Sequence, residues 1–272
     1  MPKFAANLSM LYGEVDFIDR FECASRAGFR GVEFWFPYAL EKNSVADRLK
    51  KWELVQVLHN LPAGDWERGE RGIACLPDRI GEFQDGVGKG IEYASALGCN
   101  QLNCLAGNIP GGVPLDKLRT TFIENVRFAA KHLAEANIKL LLESINTRDV
   151  PRFFLTHTQQ AVDIIEDANV ENVFLQYDIY HMQIMEGDLT ATIEHNLSRI
   201  AHLQIADSPG RHEPGTGEIN YDFIFSFVDR VGYQGWLGCE YNPVTTTEAG
   251  LSWLTPYADI LLPPRDRRAE TR

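Results

Sequence analysis

Eight short apolar or β-branched runs, separated by longer segments of helical period, set the folding problem for this chain. They fall at 4–8, 31–36, 54–58, 100–105, 138–143, 173–178, 200–205 and 236–240. Strands that alternate with helices pair in parallel and are covered by those helices. Between the first two runs, Phe17, Phe21 and Ala24 recur at three- and four-residue intervals after Glu14 and Asp16, and Gly28 stands where a helix would stop. Leu118, Phe122, Val126 and Ala129 form a second apolar stripe before Ile138-Lys139-Leu140-Leu141-Leu142, and a helix over 158–167 precedes Val173-Phe174-Leu175. Eight strand–helix units in 272 residues, with no internal linker rich in Pro, Gly or Ser, predict a single α/β domain closed as a (β/α)8 TIM barrel rather than two domains. The expected barrel covers residues 1–262, and Pro263-Pro264 followed by Arg265-Asp266-Arg267-Arg268 opens a polar tail over 263–272.

Charge and cysteine usage narrow the function classes. Lys and Arg total 26 against 38 Asp and Glu, a formal charge of −12, which repels a phosphate backbone and argues against nucleic acid as a partner. The five cysteines (Cys23, Cys75, Cys99, Cys104, Cys239) form no Cys-x-x-Cys pair, so neither a zinc site nor a disulfide framework is expected. No apolar run approaches the ~18 residues of a membrane span. Glu14, Asp16 and Asp19 interrupt the N-terminus before a signal-peptide core develops, so a cytoplasmic protein is expected. Gly86-Val87-Gly88-Lys89-Gly90 lacks phosphate-loop spacing and lies in a helical stretch, so no nucleotide cofactor is expected. A homo-oligomer is left open.

Two connections exceed what joining elements requires. His59 to Pro77 follows the third strand, Ser208 to Asn220 follows the seventh, and both carry His, Arg and Glu. Long irregular segments of compact domains are usually binding loops, and in a barrel the loops after strands build the active face. Four strands end in metal-ligand types: Glu143, Asp178, Gln204 and Glu240, separated by 35, 26 and 36 residues. Each spacing is close to one strand–helix–strand unit, so parallel pairing brings the four side chains to one rim. Any one of them alone reads best as a cap for the following helix. Together, three carboxylates and an amide oxygen repel unless a cation compensates, and hard oxygen ligands select Mg²⁺ or Mn²⁺.

Other residues carry weaker signals. His181, three residues beyond Asp178, is placed to hydrogen-bond a substrate oxygen, although a lone histidine is as often structural. His202 shares the strand face of Gln204 and reads equally as core support. Arg211 and His212 stand in the loop after the seventh strand, where a guanidinium can take a carboxylate bidentately. Trp35, Trp66, Trp236 and Trp253 read as packing residues, with Trp66 in a loop where it can shield a ligand.

At the level of longer motifs the chain resembles the bacterial hydroxypyruvate isomerase family. The resemblance rests on Asn7-Leu8-Ser9-Met10-Leu11, His59-Asn60-Leu61-Pro62-Ala63-Gly64-Asp65-Trp66, Gly69-Glu70-Arg71-Gly72-Ile73-Ala74, Gln176 through Gln183, Gly215 through Tyr221, Gly238-Cys239-Glu240-Tyr241 and Thr245 through Gly250. It runs from about residue 3 to 257 and implies membership of the xylose-isomerase-like barrel superfamily, which also holds ketose 3-epimerases, 2-oxo-tetronate isomerases and an endonuclease. Carried over, it implies metal ligands at Glu143, Asp178, Gln204 and Glu240, acid/base roles for Glu143 and Glu240, and substrate contacts at His181 and Arg211. Two positions depart from it: Ser144 where many bacterial members have proline, and Asn242 where many have lysine.

The expected reaction interconverts hydroxypyruvate and 2-hydroxy-3-oxopropanoate (tartronate semialdehyde) through a metal-stabilised cis-enediolate, with one glutamate, Glu143 or Glu240, removing the proton from C3. Arg211, with Arg71, is expected to anchor the carboxylate of this small hydroxy-oxo acid. The alternative is the same chemistry on a longer substrate, as in 2-oxo-tetronate isomerases or ketose 3-epimerases. A superfamily endonuclease would need a basic surface and histidine ligands, and a silent binding barrel would not need two strand-end glutamates.

Overall fold

A computed structural model describes residues 2–257. The eight expected strands are all present: β1 (Lys3–Asn7), β2 (Gly31–Glu33), β3 (Val55–Asn60), β4 (Gln101–Cys104), β5 (Lys139–Glu143), β6 (Val173–Asp178), β7 (Ile200–Ile205) and β8 (Trp236–Cys239). They form one closed parallel barrel in sequence order, sealed where Ala5 pairs with Gly238 and Ala6 with Cys239. Helices α1 (Phe17–Arg26), α2 (Lys42–Lys51), α3 (Ile80–Leu97), α4 (Leu115–Glu135), α5 (Thr158–Ala168), α6 (Ile179–Met185), α7 (Leu189–His195) and α8 (Tyr221–Arg230) connect the strands. The proposed tail at 263–272 and its boundary after residue 262 lie outside the described residues. No helix among the described residues is long and apolar enough to cross a membrane.

The helical period fixes which faces are covered. Phe21 and Ala24 of α1, and Leu118, Phe122, Val126 and Ala129 of α4, are buried as the stripes predict, in a large apolar layer between helices and barrel. At the C-terminal end of α1, Gly28 adopts φ 99°, the left-handed turn that ends the helix. Gly86 to Gly90 lie within α3, where Gly90 lets the helix approach Leu61 closely.

Inside the barrel a second, smaller apolar cluster joins Ala5, Val57, Leu58 and Leu141, with Phe174, Ala201 and Trp236 packed against it. Beyond it toward the C-terminal ends of the strands, buried polar side chains take over: Asn7, Glu33, Gln176, His202 and Gln204. The expected run 31–36 is cut short, because β2 pairs only through Glu33 and its register against β3 shifts between Val32 and Glu33. Phe34 to Phe36 therefore leave the sheet, and Phe34 and Trp35 line the mouth.

A Cβ on Gly238 would sit 2.3 Å from Glu33 Oε2. Inserting a methyl into such a contact costs about 1–3 kcal/mol. Gly238→Ala is therefore expected to lower stability by about that amount, read as a lower denaturant midpoint at unchanged slope.

Candidate active site

The strand ends converge in register. Glu143 pairs with Gln176 across β5 and β6, Asp178 with Gln204 across β6 and β7, and the Glu240 N–H donates to Ile205 O at 3.1 Å just past β8. Around them lies a cavity of about 260 Å³ at the C-terminal mouth, lined by Glu143, His181, Gln204, Arg211, Glu240 and Arg71 among others. Asp178 reaches its edge through Arg211 and His181. Both long loops contribute, one with Arg71 and the other with Arg211.

Each acidic group is held by different neighbours. Glu143 Oε2 accepts from Asn103 Nδ2 at 2.7 Å. Asp178 divides its work: Oδ1 caps α6 by accepting from the Tyr180 and His181 N–H groups at 2.8 and 3.3 Å, while Oδ2 has no hydrogen-bond donor. Helix capping and a free ligand oxygen thus coexist in one carboxylate. Glu240 Oε1 accepts from the indole N–H of Trp35, and its Oε2 faces Arg211 Nη2 at 3.2 Å. The same guanidinium nitrogen lies 3.6 Å from Asp178 Oδ2. Desolvation, reinforced by Glu240 and Asp178, raises the Glu143 pKa well above the usual carboxylate range. Desolvation likewise pushes Glu240 up to about 8 despite the opposing charge of Arg211.

Beneath these groups is a residue that the sequence reading missed. Glu33, 1% exposed, accepts from Asn7 Nδ2 at 3.0 Å and Gln204 Nε2 at 2.9 Å, and its Oε2 lies 2.7 Å from His202 Nε2. Gln204 is thereby oriented with its oxygen away from Glu33, where it accepts from Gln176 Nε2 at 2.6 Å. His202 belongs to this support. Asn103 and Trp35, which touch Glu143 and Glu240, were also not singled out for those contacts.

The two arginines differ. Arg211 adopts φ 58° in the loop after β7, which is tied down by Asp207 accepting from the N–H groups of Ser208, Gly215 and Ile219 at 2.9, 2.9 and 3.1 Å. It faces protein carboxylates. Arg71 lies over the Trp66 ring at 3.9 Å, and its Nη1 donates to Trp66 O and Glu70 O at 3.0 and 2.8 Å, leaving its other donors for the pocket. Next to it, Gly72 (φ 106°) docks against the chain just past β4, where a Cβ would come within 2.2 Å of Leu105 O. Trp66 packs on Trp35 and Phe36 and roofs the cavity. His212 instead binds Asn242 O through Nδ1 at 2.7 Å and acts in loop packing. At the two departures, Ser144 Oγ donates to His157 O at 2.9 Å and the Asn242 N–H to Arg211 O at 2.8 Å.

Hard oxygen donors dominate, two of them (Asp178 Oδ2 and Glu240 Oε2) without a hydrogen-bond donor, which suits a divalent cation such as Mg²⁺ or Mn²⁺. Atoms of Glu143, Asp178 and His181 also lie within 4.8 Å of one another, a second grouping with the spacing of a metal site.

The sequence matches the xylose isomerase-like TIM barrel family over residues 21–257. It is 54% identical to hydroxypyruvate isomerase of Escherichia coli (strain K12), covering 94% of this chain and 100% of that protein. It is 44% identical to a 2-oxo-tetronate isomerase of Cupriavidus necator, covering 94% and 99%. The crystal structure of an AP endonuclease, family 2, from Brucella melitensis superposes with a TM-score of 0.92 at 49% identity, covering 94% and 99%. The chain belongs to the xylose isomerase-like TIM-barrel family and, within it, to the hydroxypyruvate isomerase family. It is an enzyme of the isomerase class.

Proposed function

We propose that this enzyme interconverts hydroxypyruvate and 2-hydroxy-3-oxopropanoate. The observation that carries the reading is one small pocket in which two buried glutamates, Glu143 and Glu240, face two guanidinium groups, Arg71 and Arg211. Carboxyl groups suit proton transfer between neighbouring carbons, and guanidinium groups suit an anionic substrate. The name of the Escherichia coli relative points the same way. At about 260 Å³ the cavity lies at the lower edge of ligand pockets, which favours a short acid over a ketohexose.

In this mechanism Glu143 or Glu240 takes a proton from C3, leaving an enediolate. The same or the other glutamate returns a proton at C2, while the C3 hydroxyl proton passes to the C2 oxygen. Glu143, Asp178, Gln204 and Glu240 would hold a Mg²⁺ or Mn²⁺, whose charge stabilises negative charge developing on the substrate oxygens. Arg71 grips the substrate carboxylate, and Arg211 adds positive charge while keeping Asp178 and Glu240 in position. Trp66 and Trp35 keep bulk water from the reacting carbons. The net charge of −12 weighs against DNA as a substrate. Identity to a 2-oxo-tetronate isomerase favours a second reading, the same chemistry on a four-carbon 2-oxo acid.

Purified enzyme is expected to form tartronate semialdehyde from hydroxypyruvate, to lose that activity on chelation, and to regain it with Mg²⁺ or Mn²⁺. Faster turnover of a four-carbon 2-oxo acid would replace the substrate, and full activity in metal-free protein would remove the metal.

Glu143→Gln and Glu240→Gln are each expected to lower kcat by about 10²-fold or more, with bound metal measured alongside. Wild-type turnover in a metal-retaining variant would exclude that glutamate from proton transfer.

Arg71→Ala is expected to raise KM for hydroxypyruvate about ten- to a hundredfold, the equivalent of ~1.5–3 kcal/mol, with a smaller change in kcat. Arg211→Ala should lower kcat as well, because Asp178 and Glu240 lose their shared cation. Steady-state kinetics on both variants separates the roles.

A further inference from the structure

His181 projects into the pocket from α6, and the loop after β5 decides which of its nitrogens carries the proton. Asn146 in that loop is fully buried. Its Oδ1 accepts the Asp149 backbone N–H at 2.8 Å. A backbone N–H only donates, so this contact fixes which end of the amide is oxygen. The Nδ2 end then has two hydrogens and two neighbours: Asp149 Oδ2 at 3.0 Å and His181 Nδ1 at 2.6 Å. Asp149 Oδ2 also accepts from the Tyr180 hydroxyl at 2.8 Å. Desolvation opposes ionisation of Asp149, but the hydrogen bonds from Asn146 and Tyr180, together with the nearby His181 and Arg211, hold its carboxyl below the usual range, so it is an acceptor only.

A proton on His181 Nδ1 would point at an amide hydrogen already fixed there. We propose that Asn146, oriented by Asp149, is a positioning residue that locks His181 in the tautomer with a bare Nδ1 and a protonated Nε2.

Two consequences follow for the pocket. Nε2 lies 3.6 Å from Asp178 Oδ2 and 3.9 Å from Glu143 Oε1, beyond hydrogen-bond length, so its proton is left for the substrate. It also has no lone pair to give on that side. Of the Glu143–Asp178–His181 grouping only the carboxylates can hold a cation, and the remaining ligands must be oxygens such as those of Gln204 and Glu240. The use of the Nε2 proton on substrate rests on the proposed isomerisation, whereas the tautomer does not.

The test is a long-range proton–nitrogen correlation spectrum of the ¹⁵N-labelled full-length enzyme without metal or substrate, with the His181 ring identified by its loss in His181→Gln. The expected spectrum has an unprotonated Nδ1 and a protonated Nε2. Pulsed electron paramagnetic resonance of the Mn²⁺-loaded enzyme should find no directly bound nitrogen. Asn146→Asp supplies an acceptor in place of the donor and should move the proton to Nδ1, with kcat for hydroxypyruvate falling at least tenfold and KM by less than threefold in either direction. Should that variant not fold, the two wild-type spectra still decide. A protonated Nδ1, or a nitrogen bound to Mn²⁺, would overturn the proposal. The expected spectra in an enzyme inactive on hydroxypyruvate would support the tautomer while refuting the substrate.

Discussion

Closure of the sheet between β1 and β8 is the constraint on which the site depends. Pairing of Ala5 with both Gly31 and Gly238 brings the first, second and last strands together through small residues. In the space that Gly238 leaves, Glu33 meets Asn7 from β1 and His202 and Gln204 from β7. A buried carboxylate without such donors would be costly, whereas one satisfied by three fixes their rotamers. The barrel is thus apolar at one end, around Ala5, Val57, Leu58 and Leu141, and a polar lattice at the other.

Above that lattice the chemistry is concentrated by geometry. Register between β5, β6 and β7 sets Glu143 beside Gln176 and Asp178 beside Gln204, and the chain passing out of β8 adds Glu240. Three carboxyl groups buried so close oppose one another's ionisation, and Arg211 is the protein's own partial answer. Its left-handed backbone and the Asp207-centred loop are the local cost of delivering one guanidinium there.

The alternation of runs made the barrel legible, because parallel strands buried on both faces must be nearly all apolar. The spacing of Glu143, Asp178, Gln204 and Glu240 was legible for the same reason: each polar residue lies at, or within one residue of, the end of such a run. Glu33 was hidden because Phe34-Trp35-Phe36 extend its run, so a residue at the end of a three-residue strand reads as its middle. Its partners His202 and Gln204 stand 169 and 171 residues away, a separation at which no periodicity speaks. Asn146 and Asp149 lie in a loop, where hydrophobic period carries no information, and their pairing with His181 depends on side-chain geometry alone. Trp35 read as packing, and it does pack; its N–H also serves Glu240.

That double duty of Trp35 reaches beyond the strand it leaves. Of the five tryptophans in the chain, Trp35 and Trp66 line the cavity, with ring centroids 5.5 Å apart, one against a carboxylate and the other against the Arg71 guanidinium. Both partners are ionisable groups whose local fields change when an anion enters beside them. Indole emission responds to such fields, so the enzyme carries its own optical reporter, built from side chains that are already part of the wall.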